Sequence, residues 1–226
     1  MIVTFSGIDG SGKTSMTGAV AKRLREMGYD AEACKPRYLA NQTMMDFCEY
    51  EFGDRYLYYP KLDPTMYVYG VIVDWIDFLA LKLRRHDGRV LVCDRWFLWD
   101  VLSQAVQYGV DLTPILDLSV KFPAPDVSFF LRATPENAHG RLLLRETPKI
   151  HCNETLECLK RLTTAFEEVR RLTAWRPCVV ETDGRGFDAV LDSVMGIVLG
   201  AIEDDRRGEM KNAPAIRARS RMRRPT

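Results

Sequence analysis

The chain has 226 residues, 46% of them hydrophobic and 28% charged, the balance of one globular domain long enough to bury a full core. No apolar run approaches a membrane span, no signal peptide precedes the first Gly-rich stretch, and the six cysteines form no C-x-x-C pair. A membrane bundle, a secreted disulfide scaffold and a zinc module are therefore disfavoured, and a reduced cytoplasmic location is expected.

In chain order, residues 1–6 read as a short buried strand, 13–27 as a helix carrying Met16, Val20, Leu24 and Met27, and 30–35 as a second strand. Residues 38–63 are aromatic-rich and are expected to be irregular. A long helix follows over about 65–85, with Tyr69, Val73, Ile76, Leu79 and Leu83 as its apolar positions. Next come a strand from Val90 to Cys93, helical stretches over 98–108 and 112–120, and a strand from Val127 to Leu131. Thr134 and Pro135 form an N-cap and first-turn pair for a helix over 135–145. A helix over 154–174, a strand from Cys178 to Glu181 and a helix over 186–203 complete the order. Net charge is +1, but residues 206–226 carry +7, which leaves −6 on residues 1–205. The expected division is one domain over 1–205 and a basic, disordered tail over 206–226 that touches nucleic acid weakly at most. Five strands alternating with helices predict an α/β fold: a three-layer sandwich, with a five-stranded parallel sheet flanked by helices and ligands at the carboxyl ends of the strands.

The first of those ends carries Gly7-Ile8-Asp9-Gly10-Ser11-Gly12-Lys13-Thr14, which fits G-x-x-x-x-G-K-[ST] between a strand and a helix. Gly7, Gly10 and Gly12 let consecutive N–H groups turn inward onto phosphate oxygens, and the helix N-terminus adds partial positive charge there. Lys13 reaches the outer phosphates of ATP, and Thr14, followed by Ser15, offers a hydroxyl to Mg2+. Asp94-Arg95-Trp96 ends the third strand, where a carboxylate can orient the metal or the attacking oxygen and an arginine can grip a phosphate. Thr14 and Asp94 are the candidate metal residues. A second such triplet, Asp54-Arg55-Tyr56, has no strand before it and is set aside. Arg141 and Arg145 share a helix face and lead into the polar stretch Glu146 to Glu154, either as a solvated face or as a clamp on the transferring phosphoryl group.

Together these pieces resemble the thymidylate kinase family, within the nucleoside monophosphate kinases, over about residues 1–203. The P-loop with its internal Asp9, Asp94-Arg95 before an aromatic, Pro135-Glu136 followed by Arg141 and Arg145, and Thr182-Asp183-Gly184 before the last helix fall in the family's order. The resemblance implies ATP- and Mg2+-dependent phosphorylation of dTMP or a related nucleotide, by a homodimer joined through helices near the acceptor. Gly10 stands where other members carry Arg, which implies that Arg145, with Arg141, supplies the catalytic arginine from a lid. Lys13, Asp9, Asp94 and Arg95 complete the implied catalytic set. Asp183 falls to the donor nucleotide, Arg37 to the acceptor phosphate, and Asp9, Arg95, Trp99 and Gln104 to the acceptor side.

Two positions depart from the family. Asp74 stands where it has an acceptor-holding Arg, and Gly70 where a Phe stacks on thymine. The residues after Arg95 are Trp96, Phe97, Leu98, Trp99 and Asp100 rather than small polar ones. The expectation is intact transfer machinery beside a rebuilt pocket, with Asp74 accepting hydrogen bonds from the acceptor and Trp96 or Trp99 replacing the lost stack. The alternative pairs Asp74 with Arg37 or Arg95. Two further readings stay open. A kinase of hydroxyl acceptors needs a base, and members resembling that class use a Glu where Lys35 stands here. A nucleotide-binding regulatory protein would leave Lys13, Asp94, Arg95 and the lid arginines idle.

Overall fold

The computed structural model describes residues 1–83, 88–111, 113–145, 154–173 and 175–207. Most of the predicted tail and most of the stretch after Arg145 lie outside them. The elements are β1 (Ile2–Ser6), α1 (Lys13–Glu26), β2 (Ala31–Cys34), α2 (Leu39–Phe52), α3 (Tyr58–Lys61), α4 (Pro64–Leu81), β3 (Val90–Asp94), α5 (Ser103–Tyr108), α6 (Thr113–Ser119), β4 (Val127–Arg132), α7 (Pro135–Leu143), α8 (Leu156–Leu172), β5 (Cys178–Glu181) and α9 (Phe187–Arg207). The strands form one parallel sheet in the order β2-β3-β1-β4-β5.

Both faces of the sheet are covered, so the central strands are buried throughout and read as apolar runs rather than alternations. Val3, Phe5, Val92, Phe129 and Leu131 pack with α1 and α9. Their neighbours Ile2, Leu91, Cys93 and Phe130 join the cluster formed with α4, α5 and α8. The predicted three-layer sandwich is thus present. Its central strand β1 sends the chain into the Gly-rich loop, where sheet order places a ligand crevice.

Two expectations are corrected. Residues 38–63 are not irregular: most of them form α2, a 3₁₀ turn at Arg55–Leu57 and α3. Helix α2 ends at Gly53 in left-handed conformation, but no side chain of its own caps its start. Helix α4 buries Val68, Val71, Ile72, Trp75 and Phe78, while Tyr69, Val73 and Ile76, expected on its apolar face, are exposed. The helix is apolar nearly all round, so periodicity did not fix its phase; by length and composition it is also the one described helix able to cross a membrane. Residues 98–108 are helical as expected, and open with a π-helical turn, Leu98–Leu102, that leads directly into α5. At the carboxyl terminus, α9 runs to Arg207, and the Arg206 guanidinium lies 5.1 Å from the centroid of the Tyr29 ring.

Candidate active site

The loop after β1 is held in a shape that only glycine tolerates. Gly10 has φ 81°, and a Cβ there would stand 2.3 Å from the Ala138 carbonyl oxygen of α7. The same test at Gly7 gives 2.5 Å to the Leu131 carbonyl oxygen. Lys13 begins α1, and its buried ammonium donates to the Ile8 carbonyl at 2.8 Å and to Asp9 Oδ1 at 3.1 Å.

Register then brings the second motif alongside. Phe5 of β1 pairs with Asp94 of β3, and the Arg95 N–H donates to the Phe5 carbonyl at 2.8 Å. Thr14 Oγ1 consequently donates to Asp94 Oδ2 at 2.6 Å, while Asp94 Oδ1 is buried without a protein partner. An orphaned carboxylate oxygen beside a hydroxyl fits a hard cation. Among the described residues no cluster of three or more His, Cys, Asp or Glu could hold a metal. Mg2+ takes few protein ligands and completes its shell with water and phosphate oxygens.

Arg95 binds across the loop, with Nη2 2.6 Å from Asp9 Oδ1 and Nη1 3.3 Å from Asp100 Oδ1. Burial alone would raise the Asp9 carboxyl, but the Arg95 guanidinium and Lys13 ammonium hold it far below the usual carboxylate range. Burial alone would lower Arg95, yet Asp9 and Asp100 drive it well above its ordinary value. Burial also pushes the Lys13 ammonium down, only partly opposed by Asp9. With Asp9 Oδ1 between two cations, the geometry favours the ionised pair.

The predicted lid arginines line the same cavity of about 670 Å³ as Gly12, Lys13 and Ser15. Arg141 reaches the Gly10 carbonyl at 3.4 Å and Asp183 Oδ1 at 3.0 Å. Arg145 pairs with buried Glu154 at 2.8 Å. Asp183 accepts the Thr134 N–H at 2.6 Å, tying the β5 end to the start of α7. Burial alone would raise its carboxyl; this bond and Arg141 hold it below its ordinary value.

An adjoining cavity of about 340 Å³ shares Asp9, Lys35, Tyr38 and Arg95 with the first, then runs to Ser103, Gln104 and Tyr67. Gln104 and Trp99 line it. Trp99 is, however, a core residue: it packs on Phe130 and Phe166 and donates its indole N–H to the Gly7 carbonyl at 3.2 Å. Trp96 packs against Trp75 and is buried away from this cavity. Arg37 lines it while pairing with Asp77 at 2.9 Å.

Asp74 departs from both readings of it. Its carboxylate accepts the backbone N–H groups of Ala40 and Asn41, at 3.0 and 3.3 Å, and so caps α2 from another helix. It therefore neither lines the cavity nor pairs with Arg37 or Arg95. Gly70 belongs to the same contact. A Cβ there would meet Met44 Cε at 2.9 Å and Ala40 Cβ at 3.6 Å, so α2 fills the space a stacking ring would need.

The sequence reading missed Tyr38 and Asp100 as site residues. Tyr38 Oη donates to Asp100 Oδ2 at 2.7 Å. Asp100 had a visible signal: it is the only charge in the run Trp96 to Leu102, and a lone charge in a buried run must find partners. Lys35, noted only for standing where a Glu base is found elsewhere, touches both cavities and has no ion pair among the described residues.

The sheet order and the phosphate loop over the Thr14–Asp94 pair define a protein of the P-loop kinase fold. No family model matches the chain. A thymidylate kinase of Caldicellulosiruptor saccharolyticus is 25% identical over 206 residues, covering 87% of this chain and 94% of that relative. One of Neorickettsia sennetsu is 24% identical over 210 residues, 90% and 96% of the two chains. A probable thymidylate kinase of Archaeoglobus fulgidus is 25% identical over 169 residues, 74% and 81%. The chain is a distant homologue of the thymidylate kinases over nearly its full length.

Proposed function

We propose that this protein transfers the γ-phosphoryl group of ATP to the phosphate of a nucleoside monophosphate, dTMP or a related nucleotide. The observation that carries the reading is the shared wall of the two cavities: Asp9, Lys35, Tyr38 and Arg95 stand between a donor side holding Lys13, Arg141 and Arg145 and an acceptor side ending at Gln104. The loop N–H groups and Lys13 would cradle the donor phosphates, the lid arginines would neutralise charge on the transferring group, and Arg95 would hold the acceptor phosphate. Mg2+, held by Thr14 and Asp94, would supply further charge neutralisation between the phosphates.

The charges support a phosphate acceptor over a hydroxyl. Asp9 is engaged by two cations and far too weak a base to take a proton, and Asp100 is bonded at both oxygens. Lys35 adds a cation where a hydroxyl kinase would want a base. A phosphate brings its own anionic oxygen and needs none.

We also assign a second copy of the chain as the partner of the exposed stripe Met66, Tyr69, Val73 and Ile76 on α4, in line with the family resemblance. A reducing cytoplasm suits the cysteines, the described ones being free thiols. The deciding experiment incubates the protein with Mg2+, ATP and a panel of nucleoside monophosphates, nucleosides and other small phosphorylated compounds, following ADP. Turnover with a monophosphate, dTMP first among them, is expected. Turnover confined to nucleosides, or none with any acceptor, would reject the reading.

A further inference from the structure

Two non-glycine residues among those described have left-handed backbones: Tyr38 at φ 54° and Arg95 at φ 78°. For bulky side chains this conformation is strained and persists only where surroundings enforce it. They lie at the ends of different strands, yet their side chains meet on one carboxylate. Asp100 takes the Tyr38 hydroxyl on Oδ2 at 2.7 Å and the Arg95 guanidinium on Oδ1 at 3.3 Å. The Trp75 indole N–H also donates to Oδ2, at 2.9 Å, and fixes the carboxylate plane from behind. Asp100 itself is 5% exposed and sits in the π-helical turn, a geometry that recurs at functional sites.

We propose that Asp100 is the positioning residue of this site, clamping Arg95 and Tyr38 in their left-handed conformations so that Arg95 presents a fixed guanidinium face to the acceptor's anionic group. Asp9 and Asp100 grip the guanidinium from two sides and engage two of its five N–H groups, leaving the others for a ligand. One carboxylate alone would leave the plane free to turn. The single Tyr38 hydroxyl proton is used in the bond to Asp100, and burial and the Asp100 charge, which push the phenol well above its ordinary value, keep it protonated. Tyr38 therefore turns an accepting oxygen, not a donor, toward the cavities it lines. Binding of an anion then depends on Arg95 and on how rigidly Asp100 holds it. The acceptor part of this inference rests on the proposed function; the clamp does not.

The test uses Asp100→Asn, which keeps shape and one accepting oxygen but loses the charge and sets an amide against Arg95. Its crystal structure is expected to show Arg95 relaxed to negative φ and swung away from Asp9. The acceptor KM should rise at least about 10-fold with the ATP KM unchanged within about threefold, the split left by a lost acceptor-side contact. An Arg95 unmoved in that structure would overturn the clamp. Acceptor and ATP KM moving together, or an unchanged acceptor KM with Arg95 displaced, would overturn the positioning role. Should Asp100→Asn not fold, Tyr38→Phe removes one arm of the clamp and leaves the charge. Residue 38 is then expected to leave the left-handed region, and its retention there would count against the proposal. A wild-type protein that turns over no acceptor would reject the proposed function, while the crystal structures would still decide the clamp.

Discussion

Asp74 gives the sharpest test of how the acceptor side is built, because two accounts of it predict opposite outcomes. In the structure it is 4% exposed and accepts the N–H groups of Ala40 and Asn41 at the start of α2. Asp74→Ala removes both acceptors. Losing an N-cap costs about 0.5–2 kcal/mol and stranding buried donors about 1–3 kcal/mol. Both figures describe the same bonds, so the expected total is about 2–3 kcal/mol. At roughly 2–4 °C per kcal/mol for a domain of this size, Tm should fall by roughly 4–12 °C. Asp74→Asn keeps one accepting oxygen and loses the charge opposite the helix dipole, for about 1 kcal/mol. Differential scanning calorimetry measures the stability. Acceptor KM, taken well below the melt, should stay within about threefold for Asp74→Asn, since the carboxylate faces a helix. Unchanged Tm together with an acceptor KM raised about 10-fold would refute this account and return Asp74 to the pocket.

On the proposed function, Lys13→Ala should lower turnover by about 100-fold or more with the fold intact, by removing a charge that would stabilise the transferring group; normal ADP production would contradict this. Arg95→Ala is expected to raise the acceptor KM at least about 10-fold, while Arg145→Ala lowers kcat with acceptor KM within about threefold; titration calorimetry giving the reverse assignment would dismiss the division. The Asp9 carboxyl is depressed, so its stabilising contribution is complete above the ordinary carboxylate range and is lost only as pH falls through the lowered value. Asp9→Asn should therefore lower Tm equally at pH 7 and pH 5, and a marked difference between them would break the argument. If residues 208–226 form the tail expected from their composition, deleting them should leave Tm and turnover unchanged; a clear loss of either would mean that they dock on the body.

Local signals in the sequence were reliable wherever the physics is local. The residues Gly7 to Thr14 are consecutive, and their spacing alone dictates a phosphate loop between a strand and a helix. Thr134 and Pro135 likewise act within one turn of themselves. The buried runs of β1, β3 and β4 announced a covered parallel sheet without any knowledge of its order. Tertiary structure decided what depends on partners distant in sequence. Helix α2 has no cap of its own and borrows one from Asp74, 34 residues away from Ala40, so its start could not be read from residues 38–63. Helix α4 is apolar nearly all round, and only its neighbours select which side is core. Asp74 and Gly70 stood out in the sequence as changes to a pocket; packing makes them one helix–helix contact, because a carboxylate is drawn to the nearest unpaired N–H groups and a missing side chain lets Met44 close in. Asp100 was legible only as a charge in need of a partner. That its partners are the two residues in left-handed backbone follows from the fold, which brings the ends of β2 and β3 and the π-helical turn to one point.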